Sequence, residues 1–167
     1  LLERKLELGR EGIKALFASE IGWSSRASRA MAVASRGRRL NSGIELKVSG
    51  ISSKDFVTFF EHLTDTDDEP ALLAAHPEHY VIHNLPDGRQ EVYETNGGSP
   101  LVAKFIVDYK DTENLVTVAT SEYPYQIGGA ARLPNGRVLG GALHQFRDEG
   151  SGFEAVSEAF ADNFARR

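Results

Sequence analysis

The sequence predicts an α+β fold: a strongly curved antiparallel sheet of about six to seven strands closed by helices, with an N-terminal helical extension. Three observations carry this. From His79 onward, apolar and polar residues alternate with period two, the pattern of half-buried strands. The same turn is used twice, Leu85-Pro86-Asp87-Gly88-Arg89 and Leu133-Pro134-Asn135-Gly136-Arg137. Gly128, Gly129, Gly140 and Gly141 crowd into the two strands that the second turn joins. A flat sheet has no need of them, whereas a bent one does.

Residues 1–40 read as a basic helical extension and 41–167 as the curved-sheet domain. In the first segment Leu2, Leu6, Ile13, Leu16 and Phe17 form a helical stripe over 1–18, which Gly9 and Gly12 each weaken by roughly 1 kcal/mol relative to Ala. Trp23 falls in an expected turn. Ser24–Arg39 is rich in Ser, Ala and Arg, has no acid, and reads as a second helix capped by Ser24 or Ser25 and ended by Gly37. After a turn at Asn41-Ser42-Gly43, Ile44, Leu46 and Val48 alternate with Glu45, Lys47 and Ser49, a half-buried strand. Ser52 or Ser53 then caps a helix whose apolar face is Phe56, Phe59, Phe60 and Leu63. Pro70 opens a short helix through Ala75. Six strands follow at about 79–85, 89–96, 101–109, 115–120, 123–133 and 137–147. Residues 151–165 return to helical spacing through Phe153, Val156, Phe160 and Phe164.

The chain has 167 residues, 41% hydrophobic and 26% charged, enough for one packed core. It contains no cysteine, which excludes a disulfide framework, a thiolate metal site and a cysteine nucleophile and fits a reducing, cytoplasmic compartment. No apolar run approaches the roughly 18 residues of a membrane span. Residues 1–50 hold ten Lys/Arg against five Asp/Glu, and residues 51–167 hold nine against nineteen. A charge near +5 on the extension and −10 on the body suggests that the arm lies on its own domain.

Both turns fix a register. If Leu85 faces Arg89, His83 lies across from Glu91 and Val81 from Tyr93. If Leu133 faces Arg137, Gly129 lies across from Gly141. Leu101, Ala103, Phe105, Val107 and Tyr109 then share one face of their strand. Tyr123, Tyr125, Ile127 and Ala131 share a face of theirs, joined by Leu139, Leu143 and Gln145, with His144 outside unless the register slips by one. An apolar concavity with a few phenols has the chemistry of a small-molecule pocket. Its expected ligand-binding residues are Tyr93, Phe105, Tyr109, Tyr123, Tyr125, Ile127, Leu143 and Gln145.

His83 and Glu91 are candidate catalytic residues, because a carboxylate can fix an imidazole's tautomer and raise its pKa. The alternative is a cross-strand ion pair worth roughly 0.2–1 kcal/mol. His76, His79 and His83 do not suit a metal: on a strand, His79 and His83 stand about 13 Å apart by strand rise. No phosphate loop, nucleophile elbow or zinc-protease motif occurs, and Gly97-Gly98-Ser99-Pro100 reads as a plain turn. Neither a metal nor a cofactor is expected.

This element order resembles the helix-grip topology of START-like and birch-pollen-allergen-like proteins across about residues 44–165. The resemblance implies that a long C-terminal helix closes a curved sheet over a hydrophobic cavity. A nuclear-transport-factor-like cone is the competing arrangement and a lipocalin-like barrel the third. The function expected is binding of a small apolar or aromatic molecule. The first alternative is a cofactor-independent cyclase, isomerase or dehydratase using His83 and Glu91. The second is a protein- or nucleic-acid-interaction module built on the basic segment, with nucleic acid disfavoured because that segment has no aromatic to stack on a base. A homodimer is left open.

Overall fold

The computed structural model describes residues 1–36, 38–95 and 100–162. Four helices and seven strands run in the order α1 (Leu2–Leu16), α2 (Ala18–Ala34), β1 (Arg39–Ser49), α3 (Ser53–Asp65), α4 (Glu69–Ala75), β2 (His79–Asn84), β3 (Gln90–Thr95), β4 (Val102–Asp108), β5 (Tyr125–Arg132), β6 (Val138–Glu149) and β7 (Gly152–Asp162). All seven strands form one antiparallel, curved and open sheet in the order β1-β7-β6-β5-β4-β3-β2.

The helices carry the local signals the sequence contains. Ser52 caps α3 by accepting from the Asp55 amide at 3.1 Å, and Asp68 caps α4 by accepting from the Ala71 amide at 3.2 Å. Gly9 leaves helical geometry at φ 62° and kinks α1. The break between α1 and α2 falls at Phe17, not at Trp23. Trp23 lies within α2 and is 67% exposed, while Ser24 donates to the Ile21 carbonyl rather than capping a helix. Gly37 lies outside the described residues, as do residues 96–99 of the expected turn before Pro100.

The twin turns form as the sequence directs. Gly88 and Gly136 both sit at φ +83°, and their amides donate to Leu85 and Leu133 at 2.9 and 2.8 Å. The first turn sets His83 opposite Glu91 and Val81 opposite Tyr93. The second turn is followed by a bulge. Arg132 pairs with Val138 but Ala131 pairs with Gly140, so Leu139 is a surplus residue in β6. Beyond it the register is displaced by one. Gly129 faces Ala142 instead of Gly141, Tyr125 faces Phe146, and Ile127 faces His144. Leu143 and Gln145 therefore lie on the face opposite Tyr125 and Ile127.

Helices clothe the sheet unevenly. On one face Leu63 and Leu72, from α3 and α4, pack on Ile82, Val92 and Phe105. Farther along that face Val57 meets Phe146, Phe153 and Ala155. On the other face Ile13 of α1, 2% exposed, packs on Val81, Tyr93 and Val102. The basic arm thus docks on its own acidic body, with Arg10 on Asp67 and Glu69 and Lys14 on Glu91.

Three expectations are corrected. The closing helix expected over 151–165 is replaced through residue 162 by a strand: Gly152–Asp162 is β7, held between β1 and β6, and 163–165 lie outside the described residues. The segment Glu-Ala-Val-Ser-Glu-Ala-Phe suits a helix locally, but pairing on both sides overrides that preference. Phe153 packs beside Val48 and Phe146, while Phe160 lies on the opposite face under the Arg39 guanidinium. Phe164 lies outside the described residues. Residues 115–120 make a bend and irregular chain instead of a strand, tied down by the Thr120 amide on the Gln145 side chain. Finally, β1 is not half-buried. Its Leu40, Ile44 and Leu46 are 59%, 55% and 45% exposed, because it is an edge strand and α3 reaches only its Val48 end.

Candidate functional site

A cleft opens where the sheet steps. β4 pairs with β5 only through Ile106–Asp108 against Arg132–Ala130, so β5 from Gly129 back to Tyr125 runs on past the end of β4. Gly129 marks this seam: a Cβ there would stand 2.4 Å from the Asp108 carbonyl oxygen. Past the seam the chain turns away from β5 through residues 109–124. The gap between that loop, the C-terminal end of α3 and the β2–β3 turn is a cleft of about 920 Å³. Because the edge of β5 lies within it, side chains from both faces of the strand contribute, Ile127 from one and Gln126 from the other.

Its walls divide by chemistry. Phe60, Leu115, Ile127 and Leu143 supply the apolar surface. A hydrogen-bonded chain supplies the polar side. The Tyr109 hydroxyl donates to Gln90 Oε1 at 3.0 Å, Gln90 Nε2 donates to Asn84 Oδ1 at 3.2 Å, and Asn84 donates to the Thr64 carbonyl. Gln90 is 3% exposed, so this chain fixes the only orientation in which its amide is satisfied. Tyr109 keeps 36% of its surface exposed, yet its hydroxyl end is enclosed. That burial, with the charge of Glu94, pushes its pKa up to about 12. The phenol is therefore a neutral donor at any physiological pH. Glu61, Asp65 and Glu113 also line the cleft, and among the described residues no Lys, Arg or His does.

Of the expected ligand-binding residues, the fold brings Tyr109, Ile127 and Leu143 together at this cleft. Phe105 lies in the core beneath α3 and α4, and Tyr93 lies under α1 on the opposite face. Tyr125 packs toward Phe146 and Phe153. Tyr123 donates to Glu154 at 3.4 Å and lies beneath the Arg147 guanidinium. Gln145, 4% exposed, is spent on the Thr120 amide at 2.8 Å.

The structure sets His83 Nε2 and Glu91 Oε2 4.0 Å apart, beyond hydrogen-bond reach. Glu91 is already engaged by Lys14 at 2.7 Å and Lys104 at 2.5 Å. Burial works against its charge, but the hydrogen bonds from Lys104 and then Lys14 prevail and hold its carboxyl below the usual range. His83 Nδ1 is buried without a hydrogen-bond partner among the described residues, with Asp67 Oδ2 3.8 Å away. Neither His83 nor Glu91 lines the cleft. The His76 and His79 rings meet at a tilt of 41° with centroids 5.1 Å apart, and His79 Nδ1 is bound to the Leu72 carbonyl.

No family model matches the chain, and no curated protein sequence does. Among solved structures, it is similar to one titled "Structure of Protein of Unknown Function SA2116 from Staphylococcus aureus". The two are 12% identical, the match covers 78% of this chain and 74% of the other, and the TM-score is 0.42. That likeness is too loose to bear on the site.

Sequence reasoning missed two parts of this region. Gln90 and Asn84 were legible as members of β3 and β2, but nothing marked their amides as the support for Tyr109. His144 was placed outside. The bulge instead brings it to the face of Tyr125 and Ile127, where its Nδ1 shares a 2.6 Å hydrogen bond with Ser157 and burial lowers its pKa. His144 is thus a neutral ring next to the core, with its bond to Ser157 fixing its orientation.

Proposed function

We propose that the chain binds a small, uncharged or cationic molecule with an apolar or aromatic body in the cleft beside β5. The observation that supports this most directly is the pairing of an apolar wall with one preoriented donor–acceptor chain in a space of about 920 Å³, within the usual size of small-molecule sites. A ligand's ring would lie against Phe60, Ile127 and Leu143 while a polar substituent meets Tyr109 or Gln90. Three carboxylates, and no basic group among the described residues of the lining, argue against an anion.

A cofactor-independent cyclase, isomerase or dehydratase would need an acid or base in contact with this space. Glu61, Asp65, Glu113 and Tyr109 are there; His83 and Glu91 are not. No observation favours the chemical reading over binding alone.

The test is a titration with two apolar fluorophores of similar shape, neutral N-phenyl-1-naphthylamine and anionic anilinonaphthalene sulfonate. Native mass spectrometry of the freshly purified protein would accompany it. The neutral probe should bind with one-to-one stoichiometry and the anion more weakly, and Thr117→Trp, which narrows the cleft, should weaken the neutral probe at least tenfold. Probe binding that ignores Thr117→Trp, or an absence of binding, would remove the proposal.

A further inference from the structure

The two edges of the sheet are treated differently. β2 is six residues long, has an irregular register at His79/Val81, and is flanked by α4 and α1. The Lys5 ammonium, only 4% exposed, donates to the carbonyls of Pro77 and His79, where β2 begins. These are the devices by which proteins blunt a sheet edge. β1 shares none of these features, and of edge devices it carries only charged side chains, Arg39, Glu45 and Lys47. It is eleven residues long, contains no proline, pairs in unbroken register with β7, and no described strand pairs with its outer side. Ile44 and Leu46 are exposed along one of its faces.

The residues of β1 also complement themselves. In a two-fold antiparallel pairing centred on Leu46, Leu46 meets Leu46 of the second copy and Ile44 meets its Val48. On the other face, Glu45 then lies opposite Lys47 of the second copy, and Lys47 opposite its Glu45. Both attractions recur across the axis, as a closed two-fold contact requires. Lys47 already reaches inward across β7 to Glu149 of β6 at 2.8 Å, so in the pair it would stand between two carboxylates. A pairing centred on Gly43 would instead set Arg39 against Lys47, a repulsion repeated by symmetry.

We propose that β1 is a homodimer interface: two copies join edge to edge through residues 43–49, making one continuous sheet of fourteen strands. The proposal is independent of the cleft, which lies across the sheet beyond β7 and β6.

Sedimentation of the full chain over a concentration series tests it. The expected result is a reversible monomer–dimer equilibrium. Leu46→Lys places two ammonium groups face to face and should weaken the dimer at least tenfold. Lys47→Glu alone should also weaken it, and Glu45→Lys combined with Lys47→Glu should recover much of the loss. Because the chain has no cysteine, a single introduced thiol reports register even if Leu46→Lys folds poorly. Leu46→Cys should cross-link readily under mild oxidation and Ile44→Cys slowly, since the two residues 44 would stand about 13 Å apart by strand rise. A chain that stays monomeric throughout, including one whose β1 serves a different protein, overturns the proposal. So does a dimer indifferent to these charges, or equal cross-linking at the two sites.

Discussion

The β2–β3–β4 half of the sheet and the β6–β7–β1 half are made from similar strands yet differ in what covers them. The first half is covered on both faces, by α1 and α2 on one side and by α3 and α4 on the other, and its edge carbonyls are met by Lys5. The second half is clothed by α3 at the Phe146–Phe153 end; β6 and β7 still bury Leu143, Phe146, Phe153 and Phe160, whereas Leu40, Ile44 and Leu46 of β1 lie bare. Alternation in the sequence records which residues share a face. Whether that face is covered depends on where the helices end, and α3 ends at the cleft. The cleft lies along the seam between a closed half and an open one.

The sharpest test of this contrast is to truncate an apolar side chain in each half. Ile13→Ala should cost about 3 kcal/mol by chemical denaturation, because it leaves a cavity against Val81, Tyr93 and Val102. Leu40→Ala, at the exposed end of β1 and outside the proposed dimer contact, should cost under about 0.5 kcal/mol. Equal losses would mean that the halves are not differently covered.

A second test strikes the seam. Gly129→Ala forces a Cβ onto the Asp108 carbonyl, and the backbone must separate where β4 leaves β5. The expected cost is about 2 kcal/mol, read as a lower denaturation midpoint. Third comes the clamp that holds α1 to the closed half. Glu91→Gln leaves Lys14 and Lys104 facing one another without a carboxylate and should cost about 1.5 kcal/mol near neutral pH. The Glu91 carboxyl titrates lower in the folded chain than in the unfolded one, so the unfolded chain binds the extra proton on acidification. The stabilisation is present above the ordinary glutamate range and disappears as pH falls through the folded value. The gap between wild type and variant should therefore close on the acid side.

A smaller loss than at Glu91 is expected at the cleft. Tyr109→Phe deletes one hydrogen bond to Gln90 and should cost about 1 kcal/mol. With a pKa near 12, this phenol stays protonated when an ordinary tyrosine ionises. Its contribution is full below about pH 10 and is lost as pH rises through 12. A spectroscopic titration should show one fewer late-ionising phenol in the variant than in the wild type.

What was legible in the sequence was what local chemistry decides. The twin Pro-Asx-Gly turns gave two hairpins, Ser52 and Pro70 marked two helix starts, and the first turn gave the His83–Glu91 pairing. What was hidden depends on distant partners. Residues 152–162 carry a helical spacing of aromatics, but they fold back on β6 through the turn at Gly150-Ser151, and β1 arrives from a distant part of the chain to hold their other side as a strand. The acid–base reading of His83 and Glu91 depended on their being neighbours, and they are. It could not register that Lys14, from the extension, and Lys104, from the next strand, would claim the same carboxylate. The pocket residues were read as one face of a continuous wall. The fold distributes them over two faces, and only the interruption at Gly129 lets Ile127 and Leu143 meet the same space.

Leu139 concentrates the length tolerance of β6 at one position. A chain lacking it could keep each partner from Gly140 to Phe146 and merely relax the local twist. Loss of any single residue between Gly140 and Phe146 would instead invert part of the strand, moving polar groups into the aromatic core. Among homologues, a gap at Leu139 would thus be nearly silent, while a gap two or three positions later would abolish the fold.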